Sequence, residues 1–190
     1  PENSNDGLLH SNLTNQILDA INSGIAMINY IGHGSNTTLS DEKIIDLYRD
    51  ESQICSPMSL CQTNNLLPIW VVGTCSFGSY DITETMSEKM LIHETGAISI
   101  ITTSREIGGN SNIDFLENFF SELKIQVNES NNNNRLGDLV RNAKSKGCKE
   151  KVNKSDCENF ADKYSCNWNE NECSSNNDHL FHLFGDPALI

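Results

Sequence analysis

Two side chains suited to covalent chemistry sit where an apolar run stops: His33 in "NYIGHGSN" and Cys75 in "VVGTCSFGSYD". A thiol with an ordinary pKa of about 8.5 is only a few per cent thiolate at neutral pH. An imidazole within reach takes that proton or holds the thiolate as an ion pair, and later protonates a leaving amine. Gly34 has no Cβ, so its backbone can approach a substrate closely. The N–H groups of Gly34 and Cys75 are candidate oxyanion donors, and losing one such donor typically costs about 3 kcal/mol of transition-state stabilisation. Residue type alone leaves a second reading open, a turn histidine and a cysteine buried as a small hydrophobe.

The elements that would position them follow from hydrophobic patterning. Residues 25–31, 67–74 and 96–103 are continuous apolar runs, as strands covered on both faces would be. Leu13, Ile17, Ala20 and Ile21 recur at helical spacing and Gly24 stops that helix. Ser40 is placed to cap a helix over 41–50, with Asp41 and Glu42 in its first turn. Residues 51–65 read as a loop, 84–94, 112–127 and 135–146 as helices, and 178–184 as a short apolar helix or turn before "GDPALI". On the 112–127 helix, Ile113, Leu116, Phe119, Phe120 and Leu123 mark the apolar side. Helices alternating with apolar strands predict a mostly parallel sheet in a three-layer α/β/α sandwich. Ligands of such sheets sit outside the carboxyl ends of the strands, where His33 and Cys75 both fall.

The 190 residues suffice for one domain with a real core. Hydrophobic content is 37%, and the shortfall is concentrated in asparagine-rich stretches such as 129–135 and 167–178. A net charge of -13 with no basic patch argues against nucleic acid as a partner. No apolar window is long enough to span a membrane. The chain opens on Pro1 and closes on an apolar "PALI", which reads as an excerpt of a longer precursor.

Seven cysteines remain to be placed. Cys148, Cys157, Cys166 and Cys173 lie in a segment too poor in apolar residues to hold a core of its own. Two disulfides, each contributing about 3 kcal/mol, would hold it as a small insertion. The alternative is zinc with His179 and His182, although the short paired spacing of structural zinc sites is absent. A further Cys55–Cys61 disulfide would leave Cys75 as the remaining thiol. That cysteine usage, with sequons at Asn12, Asn36, Asn128 and Asn153, points to an oxidising secretory compartment and an extracellular or cell-surface location.

The ordered blocks "NYIGHGS", "VVGTCSFGSYD", "SEKMLIHETGAISIITTSR" and "GDPAL" resemble the gingipain-type cysteine peptidases, peptidase family C25. Within the family they are most similar to the branch acting as C-terminal signal peptidase, or sortase, of the bacterial type IX secretion system. The insert 49–65 and the four-cysteine segment depart from the family pattern.

The resemblance implies a caspase-like fold, with 1–147 as catalytic core, 148–175 as a cysteine-rich insertion and 176–190 as the return to the core. It implies His33 as general acid/base, Cys75 as nucleophile, and an oxyanion hole from Gly34 and Cys75. The function implied is a cysteine endopeptidase acting through a thioester acyl-enzyme on protein or peptide substrates. The alternatives are transpeptidation, or an inactive adhesion or structural domain on the same fold. No cofactor is required for catalysis, a structural calcium ion is admitted, and the acidic group that orients the histidine is expected in the upstream part of the same chain. Asp81 is a candidate for the substrate pocket or for bracing its loop, and Arg105 is a candidate pocket group that would select acidic side chains, or a structural partner of Asp81 or Glu106.

Overall fold

The computed structural model describes residues 2–4, 7–9, 11–47, 66–82, 84–93, 96–128, 135–149, 168–169, 172–173 and 180–187. The chain forms two compact units, Pro1–Glu106 and Ile107–Ile190. The first contains β1 (Glu2–Ser4), β2 (Gly7–Leu9), α1 (Ser11–Asn22), β3 (Met27–Ile31), β4 (Thr38–Leu39), β5 (Ile45–Asp46), β6 (Ile69–Gly73), α2 (Met86–Ile92) and β7 (Ser99–Thr103). The second contains α3 (Gly109–Asn128), α4 (Leu136–Lys149), β8 (Trp168–Asn169), β9 (Glu172–Cys173) and β10 (Phe181–Gly185).

The three apolar runs become β3, β6 and β7, adjacent and parallel, with β6 in the middle. Trp70, Val71, Val72, Ile100 and Ile101 are buried. Thr102 and Thr103 are buried too, and each hydroxyl donates to a β6-side carbonyl, Val72 O at 2.9 Å and Thr74 O respectively. This is how polar side chains are satisfied inside a sheet core. Parallel strands with helices between them are the α/β class that the patterning predicts.

β3 differs from its expectation. Asn29 and Ile31 are exposed, Ile31 at 52%, because β3 pairs only with β6 among the described residues. A continuous apolar run signals burial, but an edge position leaves part of it uncovered.

Gly24 ends α1 as expected. It takes a left-handed φ of 89°, and its N–H reaches back to Ile21 O at 3.0 Å. The helix expected over 41–50 does not form. Ser40 and Lys43 have φ of 64° and 52°, which no right-handed helix contains. Thr38–Leu39 instead pairs antiparallel with Ile45–Asp46, and Ile44 and Leu47 turn inward. Residues 48–50 and the 51–65 loop lie outside the described residues.

In the second unit α3 and α4 pack together. The buried face of α3 is Asn112, Phe115, Leu116, Phe119 and Glu122, so Phe115 takes the place expected of Ile113, which is 46% exposed. Phe115 stacks on Phe181 with centroids 3.7 Å apart. Glu122 sits in that apolar face because α4 brings Lys146 Nζ to 2.5 Å and Asn142 Nδ2 to 3.3 Å. The segment expected as a helix or turn before "GDP" is the strand β10. Gly137 N–H then closes on Pro187 O at 3.0 Å. Cys55, Cys61, Cys157, Cys166 and His179 lie outside the described residues, as does most of the cysteine-rich segment. The β8–β9 pair, with Trp168 opposite Cys173, is described within that segment.

Candidate active site

β3 and β6 run in parallel with Ile31 opposite Gly73. His33 and Cys75 each stand two residues beyond that pair, at the same carboxyl edge. Neighbouring strands are about 4.8 Å apart. Gly32 N–H still reaches Gly73 O at 3.2 Å, so the ladder continues one step before the histidine loop leaves the sheet.

The histidine loop is held from two sides. Tyr30 Oη donates to His33 O at 2.6 Å, and Ser40 N–H donates to the same carbonyl at 2.8 Å. Partial burial pushes the Tyr30 phenol up, and the nearby charges of Glu42 and Asp41 push the same way, while the Ser40 backbone contact opposes them. A Cβ on Gly32 would lie 2.7 Å from Tyr30 Oη. A Cβ on Gly34 would lie 2.5 Å from Thr74 Oγ1 and 2.8 Å from Thr38 O. At Gly32 the neighbour is only the tip of the Tyr30 side chain, which can swing aside, whereas Gly34 is boxed in by backbone and by the buried Thr74, the residue before Cys75. The two loops are in contact through that pair.

Gly34 bridges to Leu39, and the two flanking bonds are Ser35 N to Thr38 O at 2.9 Å and Ser40 N to His33 O. In that geometry the N–H of Gly34 itself takes no part in the hairpin. Asn36 O accepts from Met86 N at 2.8 Å, tying the loop to the start of α2. There Thr85 and Glu88 form a capping box. The His33 side chain is exposed and makes no hydrogen bond with another described residue.

Cys75 is a half-buried thiol. The residue after it, Ser76, has a left-handed φ of 56°. Its N–H donates to Arg105 O at 3.0 Å and its carbonyl accepts from Ser79 Oγ at 2.8 Å. Ser79 Oγ also contacts Ser104 O at 2.9 Å, Gly78 N–H donates to Thr103 O at 2.8 Å, and Phe77 is fully buried. Thr74 Oγ1 is buried against Gly34 with no hydrogen-bond partner among the described residues.

Asp81 and Arg105 meet in a two-pronged ion pair, Nη1 to Oδ1 at 2.9 Å and Nη2 to Oδ2 at 2.5 Å. Nη1 also donates to Ser104 O at 2.7 Å. The Asp81 hydrogen bonds hold the guanidinium above its ordinary value, and desolvation opposes them. His33, Gly34, Cys75, Asp81 and Arg105 are the site residues visible in the sequence. Tyr30, Thr74 and Ser79 are not, because their roles come from contacts that only the folded loops create. Thr74 was within reach, since it stands beside Cys75 in the same motif.

The sequence matches the family described as peptidase family C25 across residues 2–190. No curated protein sequence matches it significantly. Among solved structures it is similar to the Arg-specific cysteine proteinase gingipain R (RgpB), with a TM-score of 0.63 at 18% identity, covering 97% of this chain and 36% of that one. It is also similar to a complex of Porphyromonas gingivalis RgpB pro- and mature domains, with a TM-score of 0.62 at 18% identity over 96% of this chain and 37% of that one. A structure described as a protease gives 0.59 at 12% identity over 90% and 36%. The chain thus spans little more than a third of the length of these structures, and the likeness establishes a gingipain-type, caspase-like α/β fold.

Proposed function

Since this chain belongs to peptidase family C25, we propose that it carries the catalytic cysteine and histidine of a cysteine endopeptidase. The observation that carries this is the register: His33 and Cys75 stand at equal distance past the Ile31–Gly73 pair on neighbouring parallel strands. The contact of Gly34 with Thr74 supports the same pairing by holding the two loops together.

In the proposed reaction a ring nitrogen of His33 takes the proton from Cys75 Sγ. The sulfur attacks the scissile carbonyl carbon, and the electron pair of the C=O bond moves to oxygen. The N–H groups of Gly34 and Cys75 are the proposed donors to that oxyanion. The free direction of the Gly34 N–H suits it for this role. The C–N bond then breaks, the imidazolium returns the proton to the leaving amine, and a thioester remains on Cys75. Water gives a proton to His33, attacks the thioester, and releases the acid with the thiol reformed. An amine in place of water would make the reaction a transpeptidation. Dyads in the absence of substrate are often loose, in keeping with an exposed imidazole.

The partner that orients His33 is assigned to a further part of the same protein, in line with β3 pairing only with β6 among the described residues and with the 36% coverage of the gingipain chain. Among the described residues no three His, Cys, Asp or Glu side chains converge as a metal site would require. Among the described residues no helix is long and apolar enough to cross a membrane. An extracellular or cell-surface location is proposed from the cysteine and sequon content.

The test is mutational. In the full-length protein Cys75→Ala and His33→Ala each abolish peptide hydrolysis, with circular dichroism unchanged. Hydrolysis that survives either substitution rejects the assignment.

A further inference from the structure

The loop from Cys75 to Asp81 is gripped at both ends by one residue. The backbone carbonyl of Arg105 accepts from Ser76 N–H at 3.0 Å, immediately after the cysteine. The guanidinium of Arg105 takes both oxygens of Asp81 and the carbonyl of Ser104. The inner end of the loop is a closed unit, since Ser79 holds Ser76 O and Ser104 O and Phe77 is buried. At the outer end the backbone turns on itself, Tyr80 N–H reaching Gly78 O at 2.8 Å and Ile82 N–H reaching Ser79 O at 3.1 Å. Tyr80 and Ile82 on either side of Asp81 are 51% and 68% exposed. The ion pair adds a two-pronged side-chain tie from that end to Arg105.

Ser76 holds a left-handed backbone conformation without being glycine. Such conformations persist only where the surroundings over-determine them. Here the surroundings are Arg105 O, Ser79 Oγ and the ion pair that closes the loop. A guanidinium engaged by two carboxylate oxygens and a carbonyl is also poorly placed to read an acidic substrate side chain. Its planar fork matches the carboxylate, which a lysine cannot reproduce.

We propose that Arg105, acting through Asp81, is a positioning residue that keeps the Cys75 loop in its strained shape and so aims Cys75 across the edge at His33. This rests on the peptidase reading above. Loss of the clamp lets the loop relax, and a displacement of about 1 Å at reacting atoms can cost about a hundredfold in rate. Because the two residues act as one device, their losses do not add.

The experiment compares Arg105→Gln, Asp81→Asn, the double variant and Arg105→Lys in the full-length protein. Two quantities are read: steady-state hydrolysis of neutral and acidic peptides, and the iodoacetamide alkylation rate of Cys75, followed by mass spectrometry of its peptide. The expected result is a fall in kcat of about tenfold or more for each single variant, with KM within about twofold. The double variant loses no more than either single, and Arg105→Lys recovers only part. Alkylation of Cys75 shifts equally in both singles and in the double. An unchanged kcat, additive losses, or a KM effect confined to acidic peptides overturns the proposal. If the native protein hydrolyses nothing, the peptidase reading fails, and the alkylation rates alone decide the clamp: equal shifts uphold it and no shift overturns it.

Discussion

Gly34→Ala tests how tightly the histidine loop sits on the cysteine loop. The added methyl would lie 2.5 Å from Thr74 Oγ1, 2.8 Å from Thr38 O and 3.2 Å from Thr74 Cγ2. Ordinary contact is near 3.5 Å, so the loops must part by about 1 Å. Neither neighbour yields easily. Thr74 is 1% exposed and its carbonyl is held by Thr103 Oγ1, while Thr38 O is backbone, already bonded to Ser35 N. Overpacking of this kind typically costs about 1–3 kcal/mol. The same displacement separates His33 from Cys75, where about 1 Å is enough for a rate loss of about a hundredfold. The expected result is a lower urea midpoint together with a kcat/KM reduced by about tenfold to a hundredfold. Gly109→Ala is the control, since its Cβ meets nothing within 4 Å. It should stabilise slightly, by about 0.4–1 kcal/mol, and leave kcat/KM alone. A Gly34→Ala variant with native kcat/KM would refute the claim that the two loops are positioned through this contact.

Three further outcomes follow from local geometry. Thr85→Ala removes the capping box that starts α2 and should cost about 1 kcal/mol, read as a lower urea midpoint. Tyr30→Phe deletes the donor to His33 O and should cost about 1 kcal/mol at neutral pH. Because burial raises the Tyr30 phenol above its ordinary 10.0, folding disfavours its ionised form. That contribution is fully present below pH 10 and is lost as pH rises through the raised value. The native protein should therefore lose more stability than Tyr30→Phe between neutral and strongly alkaline pH, by paired urea titrations. Glu122→Ala leaves Lys146 and Asn142 without their carboxylate and should cost about 1–3 kcal/mol. The alkylation rate of Cys75 should not change in that variant.

The strands were legible because β6 and β7 are buried on both faces, and such strands announce themselves as unbroken apolar runs. β3 carries the same signal and is half-exposed, because an apolar run cannot say which strand lies at an edge. The hairpin at 38–46 carries a helix signal, because Ser40 followed by two acids is a sound capping signature. The left-handed Ser40 and Lys43 that defeat it leave no trace in residue type. β10 is obscured by its shortness, five residues that end on the glycine of "GDP". At the site, His33 and Cys75 stood out as reactive types at the ends of runs. Gly34 was also marked out, for closeness to a substrate, whereas the structure fills its Cβ position with Thr74. Asp81 and Arg105 are both visible, 24 residues apart, with their pairing one alternative among several, and the fold shows that pair formed.

The most direct test is to quench the full-length protein with acid during turnover of a peptide ester and map the covalent adduct by mass spectrometry. The account predicts an acyl group on Cys75, absent when Cys75 is replaced by alanine and failing to accumulate in His33→Ala. An acyl group on another residue, or steady hydrolysis that continues after Cys75 is removed, would contradict it.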